Sequence, residues 1–195
     1  MRNLSLLGLV VLLGCTTAPA KLENIPLVWE PEKHPRASAG AAPAAFFQTK
    51  IKVLPMTDLR AKPQLIGENR EKAPARPVTT NADVSAFVTD HFKALLAGAG
   101  LTLVDSGENA IIQGQIQQFF VDEAEQYTGT VRLHIVATDA AGKTVWDGMT
   151  TGESTRFGLS YRAENYHQSL SDALSVAVTF LLQDPGFEAG IAGTH

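Results

Sequence analysis

Apolar residues change their period several times along the chain, and each change predicts an element. In "FFQTKIKVLP", Phe47, Ile51 and Val53 alternate with Gln48, Lys50 and Lys52, the period-two pattern of a strand with one buried face, and Pro55 stops it. Thr79, Thr80, Asn81 and Asp83 supply capping oxygens and a negative charge for a helix whose apolar positions are Val84, Phe87, Val88, Phe92, Leu95 and Leu96. Gly98 and Gly100 end that helix, and Leu101 to Val104 predicts a short strand.

Three longer strands follow, over Ala110 to Val121, Thr130 to Asp139 and Thr144 to about Thr155. The middle one alternates most clearly, with Val131, Leu133, Ile135 and Ala137 against Arg132, His134 and Thr138. "DAAGK" at Asp139 to Lys143 reads as a tight hairpin loop with Gly142 at a positive φ. Ile112 and Ile116 share one parity while Phe119 and Val121 have the other, which predicts a bulge near Gln117 or Gln118. A last helix runs from about Ala163 to Gln183 on the stripe Tyr166, Leu170, Ala173, Leu174, Ala177 and Leu181, and Asp184-Pro185 closes it. The order predicts an α+β fold, a largely antiparallel sheet of four to five strands with two helices packed on one face.

The first fourteen residues form a different unit. Arg2, the apolar run Leu4 to Leu13 and Gly14 have the make-up of a signal peptide, too short for the roughly twenty residues a membrane span needs. Cys15, the only cysteine of the chain, closes that run. Leu12-Leu13-Gly14-Cys15 resembles the lipobox of bacterial lipoproteins. The resemblance implies a diacylglyceryl group on the Cys15 sulfur, cleavage before it and acylation of the new N-terminus. Several acyl chains, at about 0.8 kcal/mol per buried methylene, hold a protein where one chain is marginal. In Gram-negative sorting an aspartate after the cysteine retains a lipoprotein in the inner membrane. Thr16 in that place implies the outer membrane, inner leaflet, facing the periplasm.

Domain organisation follows. Residues 1–14 are expected to be a signal peptide, 15–44 a lipidated N-terminus and Pro/Ala-rich tether, 45–187 a periplasmic α+β domain and 188–195 a C-terminal tail. Pro19, Pro26, Pro31, Pro35 and Pro43 favour an extended tether. The alternating Ile25, Leu27 and Trp29 leave open a docking of that stretch on the domain or on a partner.

The formal charge is −4 and becomes −5 without Arg2, which argues against nucleic acid as a partner. Five histidines, at 34, 91, 134, 167 and 195, include no pair three or four apart, so no metal or cofactor is expected. His91 and His134 read as structural. Gly158-Leu159-Ser160 begins like a nucleophile elbow without its closing glycine. Asp122, Glu123 and Glu125 read as a solvated turn, and no phosphate-cradling loop is present. The expectation is a protein that is not an enzyme.

Two segments carry surface chemistry. Met56 to Asn81 is long for a connection and locally basic through Arg60, Lys62, Arg70, Lys72 and Arg76. "TRFGLSYRAENYH" gathers Arg156, Phe157, Tyr161 and Arg162, types enriched at interfaces. Arg60, Arg70, Arg156, Phe157, Tyr161 and Arg162 are the candidate partner contacts.

The lipobox, the strand ending in Asp58-Leu59-Arg60, the Ile66-Gly67 step, the helix ending in "AGAGLTLV", "AIIQGQIQQFFVD", the "AAGKTVW" hairpin and the final helix occur in that order. In this the chain resembles the YajG-like bacterial lipoproteins over roughly Phe47 to Phe187. The resemblance implies a lipid-anchored periplasmic domain of small α+β type without assigned catalytic residues. A more distant similarity is to the auxiliary lipoproteins of ABC-type lipid transporters. The function expected is a membrane-anchored binding or assembly module with another envelope protein as partner. The alternatives are an auxiliary of lipid transport and a periplasmic hydrolase.

Overall fold

The computed structural model describes residues 21–32 and 42–194. Cys15 and the expected signal peptide lie outside the described residues.

The three long strands form a meander, β6 (Ala110–Glu123), β7 (Tyr127–Asp139) and β8 (Thr144–Arg156), antiparallel throughout. The β6 register skips Gln117, so the expected bulge is present. Gly142 turns the β7–β8 hairpin at φ 83°, a left-handed conformation that glycine adopts without steric cost. Asp139 Oδ1 accepts from the Ala141 and Lys143 amides, closing the same turn.

Beyond the other edge of β6 lie the two short strands expected around Ile51 to Val53 and Leu101 to Val104, and three more that the hydrophobic pattern did not reveal. Beside it run β1 (Lys50–Val53), β2 (Thr57–Asp58) and β3 (Leu65–Asn69), each parallel to it. Outside them, β5 (Thr102–Leu103) pairs parallel with β1, and β4 (Arg76–Thr79) pairs antiparallel with β3. The α+β class therefore holds, with eight strands rather than four to five. Met56 to Asn81 holds three strands, β2, β3 and β4, instead of being one connecting loop. Strands of two to five residues containing Gly67 and Pro77 show too few alternations to be recognised locally.

The long helices α2 (Val84–Gly98) and α3 (Ala163–Leu182) lie on one face of the sheet. Asp83 caps α2, its side chain accepting from the Ala86 amide at 3.0 Å. The inner face is built from Ile112, Ile116, Phe119, Val121, Val131, Leu133 and Ile135, all fully buried. Where α3 crosses β7 and β8 the strands carry small residues. A Cβ on Gly152 would stand 2.0 Å from the Ala173 carbonyl oxygen, and one on Gly129 2.5 Å from that of Ser169. Thr150 and Ser154 hydroxyls donate to the Ala177 and Ser169 carbonyls, so helix and strand touch through backbone.

Two short helices complete the layer. Residues Ala44–Gln48, expected as the start of a strand, form α1. Phe46 there is fully buried and packs edge-on against Phe187, 6.2 Å between centroids. Asp184-Pro185 ends α3 and also opens α4 (Pro185–Ala192), with proline in the first turn and Asp184 accepting from the Phe187 amide at 2.8 Å. The stretch expected as a tail from 188 is thus helical up to Ala192.

Residues 21–32 do not hang free as a tether. The Ile25 amide donates to the Thr79 carbonyl and the Thr79 amide to that of Leu22, adding a short ribbon beyond β4. The chain then follows α3. His167 donates to the Pro26 carbonyl, Ser171 Oγ accepts from the Glu30 amide, and Asp172 accepts from the Glu32 amide. Trp29 stacks on His91 at 4.3 Å and 9°, with Phe87 edge-on to that imidazole at 4.5 Å. Desolvation there lowers the His91 pKa, against the pull of nearby Asp90.

Candidate functional site

The ends of β3, β6 and β8, the start of β7 and the start of α3 meet at one end of the domain, under the loop 157–162. The bulge at Gln117 decides what points inward there. Beyond it Phe119, Val121 and Glu123 share the inner face, so Glu123 is buried although "VDEAEQ" reads as a solvated turn. One Glu123 carboxyl oxygen accepts from the Tyr161 amide at 2.7 Å, the other from the Tyr166 hydroxyl at 2.5 Å. Burial, then the hydrogen bond to Glu123, pushes the Tyr166 phenol far above its usual range, so it stays protonated and donates.

Tyr127 stands edge-on to Tyr166, 5.3 Å between centroids, and burial raises its pKa as well. Its hydroxyl donates to the Leu159 carbonyl at 2.6 Å, and Asn165 Nδ2 donates to the same oxygen at 2.9 Å. Asn69 Nδ2 donates to Ser160 Oγ at 3.1 Å, and Ser160 in turn donates to Glu71. The loop is thereby held from below through its backbone at Leu159 and Tyr161 and through the side chain of Ser160. Tyr161 adopts φ 55°, uncommon for a residue with a Cβ, and the hydrogen bond its amide donates to Glu123 helps hold it there.

The clamp turns apolar side chains outward. Phe157 and Leu159 are 79% and 72% exposed. The other exposed large apolar residues among those described, Val28, Leu59, Met149 and Phe180, lie outside this loop.

The expected contact residues divide. Phe157 and Arg162 are exposed on the loop. Tyr161 is half-buried: its hydroxyl accepts from the Leu22 amide and faces the Pro77 carbonyl, with the Arg76 guanidinium 4.0 Å above its ring. Arg156 runs inward, its Nη1 3.7 Å from Glu32 and its Nε and Nη1 buried without a hydrogen bond. Arg70 is exposed and pairs with Asp122.

Arg60 is no contact residue. Its side chain is 7% exposed, forks onto Asp58 at 2.9 and 2.7 Å, and donates to the carbonyls of Pro63, Leu65 and Phe119. It locks the β2–β3 connection against β6, because five donors in one fork satisfy several carbonyls at once.

Elsewhere, His134 on the open sheet face bonds Asp147 at 2.7 Å and lies 3.3 Å from Gln115. It pairs across the strand with Met149, seven residues of β8 or about 23 Å from the end of that strand at Arg156. That separates it from Ser160. His167 donates to a backbone carbonyl. Among the described residues no three His, Cys, Asp or Glu gather as a metal site requires, and no helix is long and apolar enough to cross a membrane.

Residues 48–192 match a family model described as "uncharacterized lipoprotein". The chain belongs to that lipoprotein family. No curated protein matches the chain by sequence. Among solved structures, protein XCC0632 from Xanthomonas campestris is similar in fold, with a TM-score of 0.56 at 13% identity over 76% of this chain and 89% of that one. A putative lipoprotein from Caulobacter crescentus scores 0.43 at 13% identity over 71% and 91%, and lipoprotein GNA1162 from Neisseria meningitidis 0.38 at 12% over 57% and 88%. Membership of a lipoprotein family accords with an envelope protein held at a membrane.

Tyr127, Asn69 and Asn165 were not singled out from sequence, and Glu123 was read there as part of a solvated turn, whereas it is buried beneath the loop. The parity change at the bulge was a usable signal for Glu123, since carrying it two residues past Val121 turns that side chain inward.

Proposed function

We propose that this lipoprotein is acylated at Cys15, sits on the periplasmic face of the outer membrane, and acts by contact rather than by catalysis. It serves as a binding or assembly module beside other envelope proteins, of the YajG-like kind its motifs resemble. The observation that carries this reading is the loop 157–162, whose backbone is clamped by Glu123, Tyr127 and Asn165 and whose Ser160 side chain is held by Asn69, while Phe157 and Leu159 face outward. A preorganised loop with exposed apolar anchors loses little conformational entropy on contact. The buried acid and phenols beneath it are engaged in holding the loop, which supports a structural use of them.

Lipid carriage draws less support. A groove of about 520 Å³ at the β3–β4 edge is lined by Pro63, Leu65 and Pro77 with Lys62, Gln64, Glu68 and Thr79, and it lies open on the surface instead of enclosing an acyl chain.

Palmitate labelling of cells expressing the chain, with Cys15→Ser alongside, tests the anchor. Label on the wild type and none on the variant is expected, with the wild type in outer-membrane fractions. Undiminished labelling of Cys15→Ser sinks the assignment. A photo-crosslinking residue at position 162 in intact envelopes tests contact, and a catalytic turnover on a defined substrate that Ser160→Ala abolishes would replace this reading with the hydrolase.

A further inference from the structure

We infer that the Phe157–Leu159 tip is a second membrane contact, seated in the interface of the bilayer that holds the lipid anchor. This rests on acylation at Cys15 as proposed above and adds where the domain touches lipid.

The argument is one of chain length and direction. Leu22 donates its amide to the Tyr161 hydroxyl at 3.1 Å, so the described chain begins against the loop. From there it runs away along α3, with Pro26 at His167, Glu30 at Ser171 and Glu32 at Asp172. The anchor side of the segment is therefore the loop end of the domain. Cys15 lies six residues before Lys21, a span of at most about 21 Å. A domain tied this closely presents the loop end to the lipid.

At that end Phe157 and Leu159 are four and two residues from Tyr161, hence within about 14 Å of it, and both are largely exposed. An aromatic and an aliphatic side chain on a held loop suit the headgroup–acyl boundary. Lys21 and Arg162 near the tip are offset by Glu23 and Glu164, so the contact is apolar and does not depend on anionic lipid. A protein partner for the tip is the competing outcome.

The mature protein has its sole cysteine in the anchor, so an introduced cysteine is the only free thiol. Phe157→Cys, Leu159→Cys and, as control, Phe180→Cys are labelled with an environment-sensitive fluorophore in the full acylated protein. Phe180 is exposed on α3, seventeen residues or about 26 Å from the start of that helix. The proteins are reconstituted into phosphatidylcholine vesicles, with and without phosphatidylglycerol, and quenched with doxyl lipid. Blue-shifted emission and quenching at 157 and 159, none at 180, and no dependence on phosphatidylglycerol are expected. Floating vesicles that carry the protein with 157 and 159 unquenched overturn the inference and leave the anchored reading intact. So does equal quenching at 180, or a protein crosslink from an unquenched 157. Failure to float with vesicles removes the anchor, and this inference with it.

Discussion

Glu123→Ala removes the acceptor under the loop. The Tyr166 hydroxyl and the Tyr161 amide both lose their partner, and each orphaned donor costs about 1–3 kcal/mol where water cannot reach it. Tyr166 is fully buried, so its share falls toward the upper end, and the two together come to about 4 kcal/mol. For a chain of this size that lowers Tm by about 8–16 °C. Urea unfolding followed by tryptophan fluorescence, with Tyr166→Phe and the double variant, separates the pair from simple cavity formation. The cycle is expected to show coupling of about 1–3 kcal/mol, because once the carboxyl is gone the hydroxyl has nothing to donate to. Hydrogen exchange at the Tyr161 amide should rise in the same variant. A Glu123→Ala protein within about 1 kcal/mol of wild type, or strictly additive single and double variants, refutes the assignment of this acid as the clamp of the loop.

Arg60→Ala breaks a buried pair that also satisfies three carbonyls and is expected to cost about 3–5 kcal/mol, whereas Arg70→Ala, at an exposed pair, should leave Tm unchanged; thermal unfolding compares the two. Gly152→Ala places a methyl 2.0 Å from the Ala173 carbonyl, with backbone on both sides, so α3 must lift by more than an ångström and urea titration should show a loss of about 3 kcal/mol. The His91 pKa is depressed in the folded chain, so as pH falls through 6.5 the unfolded state takes the proton first and stability declines. Melting curves at pH 7.5, 6.5 and 5.5, flags for about one unit either side of the ordinary value, should show that decline in wild type and less of it in His91→Phe. Greater stability of wild type relative to that variant on acidification contradicts the burial argument.

Local pattern was enough wherever an element was long and one of its faces was buried. The α2 stripe, the α3 stripe and the β6–β8 meander repeat their period often enough that composition and spacing settle the type of element, although β6 runs on to Glu123 and β7 starts at Tyr127, past the expected ends, and the parity break between Ile116 and Phe119 announced the bulge. The lipoprotein character was also local, since a cysteine after a short apolar run is a property of adjacent residues, and the family match accords with it. Tertiary structure decided the rest. Strands β2 and β3 exist because β6 offers a free edge, and β4 because β3 then offers the next one, not because two to five residues prefer to be extended. Arg60 looked like a surface cation until the β2–β3 turn placed carbonyls around it. Asp184-Pro185 both stops one helix and starts the next, and only the pocket for Phe187 shows the second use. Residues 21–32 hold to the domain through backbone groups, the buried Leu22 and Ile25 and one stacked tryptophan, contacts that require α2, α3 and β4 to be in place first. Glu123 is the sharpest case. Its burial follows from a bulge six residues earlier, but the donors that make the burial tolerable come from Tyr161 and Tyr166, nearly forty residues or more further on, and no reading of neighbours along the chain could bring them together.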